Sequence, residues 1–322
     1  MDWFNGFEAR HHDLPDCTRL FARTGGARDA PPLLMLHGFP QSHAMWQRVA
    51  QQLAGRFRLV LPDLRGYGDS DKPPGAANHA NYSKRAMAAD MAALMNSLGH
   101  ERFALVGHDR GGRVAHRLAL DHRARVTRLA LIDIAPTLDM YAATDMRFAS
   151  LYYHWFHLIQ PAPLPERMIG ADAAFYLRWK LGGWGGRVSL QDADASAPRG
   201  GASGSGRPGA GRHDFIEPAA LAEYERTFCT PEGIHAACED YRASAGIDLE
   251  HDRASRAAGE RIACPLLVLW GERGVVGKLF DPLALWRAQC SAEVSGHALP
   301  AGHFIPEELP AETARALSDF FT

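Results

Sequence analysis

Asp109 is the residue of this chain best placed for chemistry, because it stands in Val106-Gly107-His108-Asp109-Arg110-Gly111-Gly112. The pattern Gly-x-Asp-x-Gly, after an apolar run and before a helical one, is the spacing of a sharp strand-to-helix turn that lifts its central side chain above a sheet. Serine at such a turn attacks acyl carbon. A carboxylate there displaces a leaving group from saturated carbon and keeps the substrate as an ester. The helix N-terminus behind it favours the ionised, attacking form. An aspartate here is also an ordinary helix cap, but the flanking glycines and the upstream strand favour the turn.

Other residues supply the remaining parts of such a reaction. His37-Gly38-Phe39-Pro40-Gln41 follows an apolar run and would offer the Phe39 backbone N–H opposite that of Arg110, a pair suited to an oxyanion. His303, in Gly302-His303-Phe304 after the last strand signal, occupies the late chain position that suits a general base. Its orienting acid is Asp133, which ends the strand Leu129 to Ile132, or else Glu272 or Asp281 after the strand Leu266 to Trp270; Asp133 is favoured because it ends a buried strand directly. Arg110 and Arg113, one and four positions after the nucleophile, suggest a bound carboxylate.

These residues need an α/β frame, and the chain has its rhythm. Pro32 to Leu36, Phe57 to Leu61, Phe103 to Val106, Val126 to Ile132 and Pro265 to Trp270 read as buried strands. Ala44 to Leu53, Tyr82 to Leu98, Gly112 to Asp121 and Glu312 to Phe321 carry helical patterns. Continuous apolar strands joined by helices imply a mostly parallel sheet covered on both faces. The alternation stops after Asp133 and resumes at Cys264, which predicts a core of residues 1–135 and 261–322 and an inserted helical cap of 136–260. Within the cap, a Gly/Ser/Pro-rich stretch at about 186–212 lacks the apolar surface to offset its ordering entropy and predicts a mobile loop.

The 322 residues carry a formal charge of -2 and are 46% hydrophobic, enough for a full core and without the basic excess that nucleic acid or an anionic membrane would call for. The five scattered cysteines lack CxxC spacing, so neither a disulfide framework nor a zinc site is expected. Met1 to Gly6 has no signal-peptide pattern and no segment has the apolar length of a membrane span, which leads to the expectation of a cytoplasmic protein without metal or cofactor.

Taken together, HGFPQ at 37–41, Asp63-Leu64-Arg65-Gly66-Tyr67-Gly68, the elbow 107–113, Tyr153-His154-Trp155, Cys238-Glu239-Asp240-Tyr241-Arg242 and Gly302-His303-Phe304 resemble the fluoroacetate (haloacetate) dehalogenases of the α/β-hydrolase superfamily over nearly the whole chain. The resemblance implies Asp109 as nucleophile, His303 as base, Asp133 as its acid, Arg110 and Arg113 as carboxylate clamp, and His154, Trp155 and Tyr241 as halide pocket. It also implies a homodimer, and it puts Trp184 near the substrate. Three neutral donors around a departing halide are physically sensible; without the resemblance Trp155 and Tyr241 read as cap core. Against the family pattern, the 186–212 stretch stands as an insertion, and Met140 and Leu151 replace polar side chains of some relatives. The competing readings are an epoxide hydrolase, with Tyr241 and one of Tyr152, Tyr153 or Tyr176 protonating the ring oxygen, and a non-catalytic small-acid-binding protein on the same fold.

Overall fold

The structure is a computed structural model that describes residues 3–16, 18–184 and 213–322. Eight strands form one sheet: β1 (Phe7–Asp13), β2 (Arg19–Gly26), β3 (Pro32–Leu36), β4 (Arg58–Pro62), β5 (Phe103–His108), β6 (Val126–Ile132), β7 (Leu266–Gly271) and β8 (Val294–Leu299). Their order is β1-β2-β4-β3-β5-β6-β7-β8. From β4 to β8 every neighbouring pair is parallel, whereas β1 pairs with β2, and β2 with β4, antiparallel. The fold is thus the mostly parallel α/β sheet that the apolar runs imply.

The five expected strands are present within a residue or two of their expected ends. The hairpin β1–β2 carries no such run: β1 is Phe-Glu-Ala-Arg-His-His-Asp with most side chains exposed, the polar dress of a sheet edge. At the other edge, β8 alternates half-buried and exposed residues. Both lack the continuous apolar signal because each has only one covered face.

Helices α1 (Gln47–Leu53), α2 (Lys84–Ser97) and α3 (Asp109–Asp121) join the first parallel strands. Between β6 and β7 the described residues form helices only: α4 (Thr137–Ala142), α5 (Met146–Leu151), α6 (Tyr153–Leu158), α7 (Leu164–Gly170), α8 (Ala173–Trp184), α9 (Pro218–Phe228), α10 (Pro231–Ala245) and α11 (Ile247–Ala257). After β7 come α12 (Val275–Leu279), α13 (Pro282–Gln289), α14 (Ile305–Glu308) and α15 (Pro310–Phe321). The loop expected at 186–212 lies outside the described residues. Among the described residues no helix is long and apolar enough to cross a membrane, and Cys229, Cys238, Cys264 and Cys290 are free thiols.

One helix departs from its expected start. The pattern predicts Gly112 as the first helical residue, yet α3 begins at Asp109, in the left-handed region at φ 46°. Position 109 serves as turn and helix start at once, which is possible only because its neighbours are small. A Cβ on Gly107 would come 2.5 Å from the Gly111 carbonyl oxygen, and one on Gly111 would come 2.2 Å from the His37 carbonyl oxygen. The glycines therefore let the β3 loop, the end of β5 and the first turn of α3 meet.

Gly111→Ala is expected to lower unfolding stability by about 3 kcal/mol, since backbone atoms cannot yield. Gly55→Ala, where a Cβ meets nothing within 4 Å, is the control and is expected to be nearly neutral. Equal denaturation midpoints for the two variants would contradict the crowding argument.

Candidate active site

The carboxyl ends of β3, β5, β6 and β7 and the segment after β8 converge on Asp109. Asp109 is 7% exposed. Its Oδ1 accepts a hydrogen bond from the Phe39 backbone N–H at 2.9 Å, and Oδ2 lies 3.8 Å from His303 Nε2, beyond hydrogen-bond reach. The two oxygens are thereby differentiated: one is fixed by the loop after β3 and the other is left for chemistry. Burial alone would raise the carboxyl's pKa, but His303 above all, with Arg110 and Arg113 adding to it, holds the pKa below its usual value.

His303 Nδ1 lies 2.6 Å from Asp133 Oδ2. Asp133 sits at φ 50° just past β6, and its Oδ1 accepts from the Gly271 backbone N–H at 3.0 Å. Of the three acids considered for this place, Asp133 makes the contact. Asp281 instead caps α13, accepting from the Ala284 N–H at 3.0 Å. Burial lowers the His303 pKa, but the bond to Asp133 and that residue's charge outweigh it and the net shift is upward. The His303 N–H donates to the Trp184 carbonyl at 2.8 Å, and its carbonyl lies 2.8 Å from His108 Nε2. Burial drives the His108 pKa down to about 3, so this imidazole is neutral and donates through Nε2.

Arg110 and Arg113 are both buried, in different company. Arg110 grips Asp240 with two bonds, Nε–Oδ2 at 2.9 Å and Nη2–Oδ1 at 2.8 Å, and its guanidinium lies 4.1 Å from the centre of the Tyr241 ring. Asp240 also receives Lys84 Nζ and, at 2.5 Å, the Tyr67 hydroxyl. Arg113 bonds only neutral groups: the Ala135 carbonyl at 3.3 Å, the Thr137 hydroxyl at 2.8 Å and the Met140 sulfur at 3.3 Å. Its guanidinium lies 4.7 Å from the centre of the Trp155 ring. Arg110 Nη1 and Arg113 Nε are buried without a hydrogen-bond partner.

Aromatic side chains of the helical segment close over this charge cluster. The His154 ring lies 4.4 Å from Trp184 and 5.5 Å from Tyr241, and the Trp184 ring 5.4 Å from His303. Burial drives the His154 pKa well below its usual value, so the ring is uncharged, and raises Tyr241 well above its own, with the Asp109 charge adding to the effect. His154 Nδ1 and Tyr241 Oη, like His303 Nε2, have no partner. Buried polar groups are ordinarily paired, so these unpartnered atoms leave hydrogen-bonding capacity for a small polar ligand beside Asp109.

The structure adds residues that sequence reasoning missed. Tyr141, whose ring lies 4.8 Å from Trp155, has a buried unpartnered hydroxyl, while Tyr152, considered above only for the epoxide reading, has its ring 5.2 Å from that of His154. Lys180 Nζ stands 3.4 Å from the centre of the Tyr153 ring and 4.9 Å from that of Trp184, where burial pulls its pKa well below the usual lysine value. Asp240 was read only as part of a motif, and its pairing with Arg110 across 130 positions leaves no sequence signal.

Comparison with known proteins finds relatives over nearly the whole chain. The model of the α/β-hydrolase fold family matches residues 31–310. A fluoroacetate dehalogenase from Burkholderia sp is 44% identical over 319 residues, covering 99% of this chain and 95% of that protein. A soluble epoxide hydrolase from Corynebacterium sp. (strain C12) is 30% identical, covering 90% of each. Among solved structures, a provisionally assigned α/β hydrolase from Nostoc sp PCC 7120 superposes with a TM-score of 0.88 at 49% identity, covering 99% of each chain.

The His303–Asp133 bond is directly measurable. Its Nδ1 proton is expected far downfield in the NMR spectrum, disappearing in Asp133→Asn, with the His303 pKa falling. A group whose folded pKa is raised stabilises the fold below its unfolded value of about 6.5 and loses that contribution as pH rises through the folded value. Asp133→Asn is thus expected to destabilise more at pH 6 than at pH 9; the reverse order would contradict the assignment.

Proposed function

The chain belongs to the α/β-hydrolase fold family, and on that premise we propose that it is a hydrolytic dehalogenase that converts fluoroacetate or a related 2-haloacid into the 2-hydroxyacid and halide. The single observation that carries this reading is the pair of buried guanidinium N–H groups, Arg110 Nη1 and Arg113 Nε, that lack an acceptor beside an ionised Asp109. A substrate carboxylate supplies such acceptors in the fork geometry that arginine favours. A neutral substrate leaves both unsatisfied, which costs about 1–3 kcal/mol per buried group.

In this reading the clamp orients the α-carbon toward Asp109 Oδ2, the oxygen without a hydrogen bond. Oδ2 attacks from behind, the carbon–halogen electron pair leaves with the halide, and an ester forms on the enzyme. The halide departs toward His154, Trp155 and Tyr241, uncharged groups whose N–H and O–H bonds replace its hydration. His303 then takes a proton from water, and the hydroxide adds to the Asp109 carboxyl carbon. Negative charge collects on Oδ1, where the Phe39 N–H already stands at 2.9 Å and the Arg110 N–H is the second donor we propose. Collapse expels the hydroxyacid oxygen, which recovers the proton from His303.

Relatedness to a 44% identical fluoroacetate dehalogenase supports the proposal. The rival reading, an epoxide hydrolase, draws on Tyr152 and Tyr241, both raised in pKa by burial and, in part, by the Asp109 charge, and on the Corynebacterium relative. It leaves Arg110 Nη1 and Arg113 Nε without an acceptor. A non-catalytic acid-binding role leaves the Asp109–His303–Asp133 set without a task. We further infer that residues 136–260 act as a cap and that two copies pair, consistent with the exposed Leu164, Met168, Phe175 and Trp179 on α7 and α8.

The test is halide release from fluoroacetate and chloroacetate beside diol formation from styrene oxide, with halide release expected to dominate. Arg113→Met is expected to raise KM by roughly 10–100-fold, the worth of a charge-assisted bond. His303→Gln is expected to accumulate an ester, visible as added mass on the Asp109 peptide. Turnover of styrene oxide alone, with Arg113→Met unimpaired, would overturn the proposal in favour of its rival.

A further inference from the structure

Four residues after His303, a buried carboxyl lies outside the reaction described above. Glu307, at 3% exposure, is the third residue of α14. Its Oε2 lies 2.5 Å from the Gln41 side-chain amide, and its Oε1 accepts from the Tyr224 hydroxyl at 2.9 Å. Gln41 stands two positions after Phe39, whose N–H holds Asp109 Oδ1, and its own N–H closes the turn on the Gly38 carbonyl at 2.8 Å. Tyr224 belongs to α9. One carboxyl therefore joins the Phe39 loop, the helical segment above the site and the segment that carries His303.

The pairing at Gln41 fits a neutral acid. With nitrogen toward Glu307, Gln41 Oε1 is a buried oxygen without a donor. Amide oxygen and nitrogen exchange places without changing the shape of the side chain. Turned over, Gln41 offers its oxygen to a Glu307 O–H, and the buried carbonyl gains a donor. The groups around the carboxyl agree. Burial, the largest influence, and Glu308 on the same helix raise the pKa, to about 8, against the lowering effects of Tyr224, Arg48 and Gln41. Arg48 spends its guanidinium on the carbonyls of Glu307 and Phe215 and on Glu217. Glu308 accepts from the Gly302 and Phe304 N–H groups at 2.8 and 3.0 Å.

We propose that Glu307 is a positioning residue that works as an uncharged acid, tying the Phe39 loop to the His303 segment and α9 and releasing them when it ionises. This rests on the dehalogenase reading only for its effect on turnover; the protonation itself does not depend on it. Ionisation removes the O–H that Gln41 accepts and places a second negative charge beside Glu308. The Phe39 N–H then loses the fixed position it needs over Asp109 Oδ1, so the loss falls on kcat, through ester hydrolysis, more than on KM. The folding linkage has a defined sign. Unfolded glutamate ionises near 4.5 while the folded carboxyl keeps its proton to about 8, so the unfolded state gains stability across that window.

The test combines an activity profile with two readouts independent of turnover. In the full-length enzyme, kcat is expected to fall on the alkaline side with a midpoint near 8, and Glu307→Gln, which keeps a neutral bridge, is expected to retain neutral-pH activity and lose that limb. The melting temperature is expected to drop between pH 5 and pH 8 more in the wild type than in Glu307→Gln. Should the variant fail to fold, the carboxyl 13C resonance that titrates last in glutamate-labelled wild type, assigned by its shift in Tyr224→Phe, reads the proton directly. Titration of that carboxyl below pH 6, or the same alkaline limb in wild type and Glu307→Gln, would overturn the proposal. Absence of halide release with Glu307 still protonated at pH 7 would instead reject the function and leave this inference standing.

Discussion

In the reaction proposed above Asp109 has to be bare and ionised at once, and its surroundings reconcile those demands. Burial strips the water that would blunt the nucleophile, and the same burial favours the neutral acid. The balance is restored by groups that do not touch the attacking oxygen. Phe39 holds only Oδ1, His303 Nε2 stops 3.8 Å short of Oδ2, and the two arginines act through their field. A donor bonded directly to Oδ2 would secure ionisation and remove the nucleophile in the same step.

The positive charge that this requires is unevenly committed. Arg110 is matched by Asp240, itself tied to Lys84 and Tyr67, so this guanidinium is held rigidly and presents one edge to the chamber. Arg113 has only neutral partners and an aromatic face beneath it. The first positions a donor and the second supplies charge. His154 and Tyr241, held uncharged by burial, stand beside these guanidinium groups, with the centre of the Tyr241 ring 4.1 Å from that of Arg110.

What the sequence displayed and what it hid follow from the same physics. Asp109 and Asp133 stood out because each follows a buried strand of continuous apolar residues, and His303 stood out by its late place in the chain. Strands β1 and β8 did not, because each lies at a sheet edge with polar or small residues in place of a continuous apolar run, and β2 did not, because Arg19, Arg23, Thr24 and two glycines interrupt its apolar residues. The start of α3 was misplaced by three residues because glycines at 111 and 112 suggest a turn, whereas here they permit close packing inside a helix. The Asp240–Arg110 pair and the Glu307 junction join positions 130 and 266 apart. Neither has a local signature, since Asp240 sits in an amphipathic helix and Glu307 beside another glutamate. His154, Trp155 and Tyr241 entered through resemblance to known sequences, and their unsatisfied polar atoms became visible only in three dimensions.

The account stands on covalent bonding of an Asp109 oxygen to substrate carbon. A single turnover with enzyme in excess, run in 18O-labelled water, tests this directly. The account predicts unlabelled oxygen in the hydroxyacid and the heavy isotope in the Asp109 side chain, read by mass spectrometry of the peptide that contains it. Label appearing in the product of that first turnover, with none in the peptide, would contradict it.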